Sequence, residues 1–136
     1  WVFENLPDAD ESTASAWANE VLEFLGDSVV GLAVAENLVA LHPALDEGDL
    51  TLMKHHLVST ATLAKAGDGI EIGKFLRVGR GEEKTGGRQK RALLANTVEA
   101  VVGAVFLDSG YIAARGVVKR LIGEDIRAAT PERCLD

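Results

Sequence analysis

An all-α domain is predicted by three features of this 136-residue sequence. Apolar residues recur at spacings of three and four over long stretches, helix-capping residues stand ahead of two further stretches, and no two segments alternate as paired strands would. With 47% hydrophobic residues the chain can bury one core, and a single domain is expected. There is no internal repeat and no heptad array.

The elements follow in order. Residues 4–16 are polar and acidic around Pro7 and are expected to be a loop, with residues 1–14 ahead of a domain spanning 15–127. From about Ser15 to Leu41, Trp17, Val21, Leu22, Leu25, Val29, Leu32 and Leu38 carry a helical pattern that Pro43 ends. "DEGDLTLMKHHL" is a second helix with Asp46 or Asp49 as its cap, and Ser59 caps a third, "STATLAKAG", which stops at Gly67-Asp68-Gly69. "IEIGKFLRVGRGEEKTGG" is too rich in Gly for a helix and reads as a turn and a loop. Residues 88–108 form a helix that is apolar on nearly all sides, hence central. Gly110 breaks it before a last helix from about Ile112 to Ile126, and residues 128–136 are expected to be a tail.

Composition narrows the setting. Asp27 and Ser28, and Asn96, Thr97 and Glu99, interrupt the apolar runs before the roughly 18 residues of a membrane span, so a soluble protein without a membrane partner is expected. No leader pattern precedes the helices, and the first residue, Trp1, suggests a trimmed segment. One cysteine, Cys134, leaves no disulfide framework or cysteine zinc site and suits the cytoplasm. The net charge of −7 is unevenly spread. Lys74 to Arg91 holds seven basic residues against two Glu, a local patch able to grip phosphates on an otherwise acidic body.

Two apolar helices carry isolated carboxylates. Glu99 is the only ionisable residue between Arg91 and Asp108, and Asp27 the only one between Phe24 and Ala35. A buried carboxylate is costly unless a proton donor, a base or a metal attends it. Glu20, Glu23 and Asp27 share one helical face, as do Asn96 and Glu99. Two oxygen-rich stripes suit a hard divalent cation, Mg²⁺ or Mn²⁺, between helices 15–41 and 88–108. Helix 15–41 is apolar on more than one face, so something beyond its own core should cover it. Other candidates carry less: His55 and His56 point about 100° apart on a helix and cannot clasp one metal. "GRGEEKTGG" has Glu83 where a phosphate-binding loop needs Gly, and Ser28 has no His arranged to activate it and suits a small packing position.

The stretch "NEVLEFLGDS", Asn19 to Ser28, resembles the signature of the ribonuclease III family, endonucleases that cut double-stranded RNA. "EGDLTLMKHHLVS", "GRGEEKTGGR" and "EAVVGAVFLDSG" continue the similarity in order, over roughly residues 19 to 125. The resemblance implies the family's helical nuclease fold, here lacking its usual first helix and the RNA-binding domain that follows in bacterial enzymes. It implies metal ligation by Glu23, Asp27, Asn96 and Glu99, with Asp27 and Glu99 catalytic, and an acidic valley extended by Glu20, Glu47 and Glu82. Asn96 stands where the family's usual pattern has Asp; its carbonyl oxygen can ligate Mg²⁺, but it brings no charge and its amide nitrogen cannot ligate. RNA contacts are implied for Lys84, Thr85, Arg88 and Lys90, and a homodimer for Phe24, the aromatic inserted into a partner pocket. The implied reaction is Mg²⁺-dependent hydrolysis, with Mn²⁺ as a substitute, giving 5′-phosphate and 3′-hydroxyl ends in RNA processing, ribosomal precursors included. Asn96 raises the alternative of a domain that binds structured RNA without cutting it.

Overall fold

The computed structural model describes residues 20–75 and 87–135, without the side chains of 74, 75 and 87–89. The all-α expectation holds: the described residues form five α-helices and two short 3₁₀ turns. Helix α1 spans Leu22–Leu41, α2 Glu47–Leu57, α3 Thr60–Gly69, α4 Gly87–Ser109 and α5 Tyr111–Ala128. The 3₁₀ turns cover Ile72–Phe75 and Glu132–Cys134.

Local chemistry sets the boundaries. His42 leaves helical geometry because the ring of Pro43 disfavours it in the preceding residue, and its N–H closes α1 on Leu38 O at 2.9 Å. Asp46 caps α2, its Oδ1 accepting from Asp49 N at 2.9 Å, and Ser59 caps α3, accepting from Thr62 N at 3.3 Å. Between α4 and α5 the chain turns at Gly110, whose φ of +85° favours a residue without a side chain. Residues 128–135, expected to be a tail, close onto the domain instead, with Ala129 and Cys134 buried.

Helix α4 is central, as its all-round apolar sequence predicts: it packs on α1, α3 and α5. The core is aliphatic, built on Val30, Val34, Leu38, Met53, Leu57, Val98, Val102, Val118 and Ile122, and among the described residues it buries no charged or polar side chain. Helices α1 and α4 meet backbone to backbone. A Cβ at Gly26 would lie 1.6 Å from Glu99 O, and one at Gly103 would lie 2.2 Å from Leu22 O.

Leu32 carries the helical pattern and is exposed, in line with the expectation that helix 15–41 is apolar on more than one face: only one side of α1 meets the core. Two expectations need correction. Ser28 is exposed rather than set in a helix–helix contact among the described residues. The apolar runs do reach membrane-spanning length. Leu22–Leu41 and Lys90–Ser109 are each 20 residues long, with mean hydropathy 1.6 and 1.4, since a few polar residues in a run do not cancel its average. They are the two helices that close on each other at Gly26 and Gly103.

Candidate active site

The crossing at Gly26 decides where the carboxylates go. With α1 pressed against the Glu99 carbonyl, the next residue of α1, Asp27, faces the Glu99 side chain, and the two carboxyls hydrogen-bond. Glu99 is half-buried and Asp27 is exposed, so the pair sits at the mouth of the interhelical seam. The Glu99 carboxyl is pushed up to about 8, first by burial, then by its hydrogen bond to Asp27, then by the charges of Asp27 and Glu23. The partner that an isolated carboxylate requires is therefore a second carboxylate, which holds the proton on Glu99 more tightly.

Glu23 stands one turn before Asp27 on the same side of α1, close enough for its charge to act on Glu99. Asn96, one turn before Glu99, meets Glu23. With its amide oriented by the hydrogen bonds it can make, Nδ2 donates to Glu23 Oε1 and to Ala92 O, both at 3.3 Å. The four expected ligand residues are thus brought together at one crossing of α1 and α4. Among the described residues no three His, Cys, Asp or Glu side chains converge as a ready metal cage. The Asp27–Glu99 pair still fits Mg²⁺, which binds through one or two carboxylates and keeps several waters.

The remaining candidates spread out. Glu20 is exposed one turn ahead of Glu23. Glu47 opens α2 and lines a groove of about 270 Å³ with Ala35, Leu38, Val39, Leu50, Thr51 and Lys54. The α1 residues of that groove, Ala35 to Val39, lie about 12–18 Å along the helix from Asp27, at 1.5 Å per residue, so the fold of one chain does not bring Glu47 to the pair. Glu82, Lys84 and Thr85 lie outside the described residues, as does the Arg88 side chain. Lys90 is exposed and lines a groove of about 520 Å³ between α3 and α4 with Lys65, Arg91, Asp68 and Leu94. Lys65 was not foreseeable: a single lysine in a short helix gives no signal until α3 is laid beside α4. His55 and His56 are exposed, in keeping with their adjacency, and Phe24 is 76% exposed, outside the core formed by the described residues.

Comparison with known proteins identifies the family and the fold. The model of the ribonuclease-III-like family matches residues 9–126. Ribonuclease 3 of Streptomyces coelicolor is 54% identical over 103 residues, covering 76% of this chain and 37% of that protein. Ribonuclease 3 of Nitratidesulfovibrio vulgaris is 46% identical over 134 residues, covering 91% and 53%. The chain therefore spans about a third to a half of the length of these relatives. Among solved structures, the nuclease domain of ribonuclease III from Campylobacter jejuni, described for flexibility in the region of dimer formation, superposes with a TM-score of 0.74. It is 37% identical, covering 78% of this chain and 74% of that one. Dicer from Pichia stipitis superposes with a TM-score of 0.66 at 28% identity, covering 80% and 50%. With its two carboxylate-bearing helices crossing at Gly26 and nearly its whole length matched, the chain belongs to the ribonuclease-III-like family.

Proposed function

We propose that this domain is the nuclease unit of a cytoplasmic endoribonuclease that hydrolyses double-stranded RNA with Mg²⁺, leaving 5′-phosphate and 3′-hydroxyl ends, in the processing of RNA precursors such as ribosomal RNA. The observation that carries the reading is the contact of Asp27 with Glu99 at the α1–α4 crossing, where two carboxylates lie together and Glu23 adds a third charge nearby. Asp27 and Glu99 would hold the cation, with Glu23 and the Asn96 oxygen completing the set. Bound there, Mg²⁺ supplies an acidified water and charge stabilisation for phosphodiester cleavage.

The protein's own part is to orient and to bind. Gly26 fixes the separation of the two helices, and burial of Glu99 keeps its carboxyl ready to give up a proton near neutral pH. The groove lined by Lys65, Lys90 and Arg91 can take phosphates of an RNA duplex, which proteins read chiefly by backbone and 2′-hydroxyl contacts. The bare strip of α1, Phe24, Leu32 and Val39, suits a second copy. In a two-fold pairing of α1 helices about Leu32, Phe24 reaches the partner's level of Val39 and Ala40, at the end of the 270 Å³ groove that Val39 lines. Glu47, on the rim of that groove, then approaches the carboxylates of the other subunit. On this reading α1 and α4 are core and interface helices rather than membrane spans.

The test is cleavage of a long double-stranded RNA by the protein in Mg²⁺ and in EDTA, beside Glu99→Gln and Asn96→Asp. Cleavage that needs Mg²⁺ and disappears in Glu99→Gln supports the nuclease. RNA binding without cleavage, by the wild type and by Asn96→Asp alike, replaces it with a binding domain.

A further inference from the structure

Asn96 does more than fail to supply a charge. One hydrogen of its amide goes to Ala92 O, one turn back on α4, and the other crosses to Glu23 Oε1 on α1, both at 3.3 Å. An aspartate at 96 would put a carboxylate oxygen where that nitrogen lies. Two anionic oxygens at such spacing repel unless a proton or a cation stands between them. The amide instead presents Glu23 with the positive end of a dipole, with no cation needed.

We propose that Asn96 is a positioning residue that holds Glu23 in place when no cation is bound, so that the site keeps its arrangement empty and binds the cation more weakly in exchange. The inference rests on the reading of Glu23, Asp27 and Glu99 as cation ligands. Its weaker binding follows from charge: a cation meets three carboxylates here rather than four, and affinity of oxygen-ligand sites follows ligand charge. Asn96 is itself exposed, so the domain tolerates its replacement.

Thermal unfolding in EDTA and calorimetric titration with Mn²⁺ test it on the wild type, Asn96→Asp, Asn96→Ala and the double variant Asn96→Asp with Glu23→Gln. Asn96→Asp should unfold about 3 °C or more below the wild type in EDTA and bind Mn²⁺ on the order of tenfold more tightly. Asn96→Ala should lose part of that stability with no gain in Mn²⁺ affinity. Adding Glu23→Gln to Asn96→Asp should restore the melting temperature in EDTA, because the repelling charge is gone; a general packing defect at position 96 would not respond. An Asn96→Asp protein as stable as the wild type in EDTA, or one that Glu23→Gln does not rescue, overturns the proposal. Absence of Mn²⁺ binding by every form overturns the proposal together with the site reading. Loss of RNA cleavage alone, with Mn²⁺ binding intact, counts against the nuclease reading and leaves the unfolding comparison supporting the clamp.

Discussion

Glu99 faces carboxylates rather than a base, and that has a consequence for stability. In the cation-free protein its carboxyl is raised from an ordinary 4.5 to about 8, so the folded state keeps a proton that the unfolded chain releases. Stability is therefore greatest below pH 4.5 as far as this group is concerned, falls as pH rises toward 8, and levels off above it. Glu99→Gln removes the titration. In EDTA its melting temperature should match the wild type near pH 5 and exceed it near pH 9, while RNA cleavage in Mg²⁺ falls by at least about a hundredfold. A melting difference that stays constant across that range would show that Glu99 titrates as an ordinary carboxylate. Its isolation in an apolar run was visible from sequence. So was the facing stripe of Glu23 and Asp27; that Asp27 is the member in direct contact was not, because the two residues are 72 positions apart and only the helix crossing joins them.

At the scale of the helices, the α1–α4 crossing is set by two absent side chains. Gly26→Ala would drive a Cβ into the Glu99 carbonyl, which is backbone and cannot swing aside, so the helices must part. The expected cost is about 1–3 kcal/mol or more, with a lower melting temperature. Because parting the helices exposes Glu99 and carries Asp27 away from it, the pH dependence expected of the wild type should flatten as well. Gly116→Ala is the contrast: it meets nothing within 4 Å in the middle of α5 and should stabilise by up to about 1 kcal/mol. If both substitutions behave alike, Gly26 acts through helix propensity rather than through the crossing. Periodicity and capping located the helices well, since Asp46, Ser59, Pro43 and Gly110 act on their immediate neighbours. They could not tell which side of α1 faces inward. Val29 and Leu32 fit the same apolar pattern, and only the tertiary contact buries one and exposes the other.

For the whole molecule the unbalanced feature is that same outer side of α1, where Phe24, Leu32 and Val39 are 76%, 56% and 58% exposed. A solvated helix of a monomer would carry polar residues there. In the proposed two-fold pairing with Leu32 near the axis, Leu32→Glu sets two like charges against each other: sedimentation should show the wild type as a dimer and Leu32→Glu, at the same concentration, as a monomer. Phe24→Ala leaves the contact uncharged but empties the groove beside Leu38, Val39 and Leu50 twice per dimer, weakening association by at least about tenfold. Neither residue supports the core of its own chain, so the melting temperature of the separated subunits should be nearly unchanged. On the proposed nuclease and its proposed pairing, which bring Glu47 to the carboxylates of the other subunit, cleavage should follow the dimer rather than the monomer. Leu32→Glu that remains dimeric would mean that the axis lies elsewhere, and Glu47 would then be an ordinary exposed residue at the start of α2.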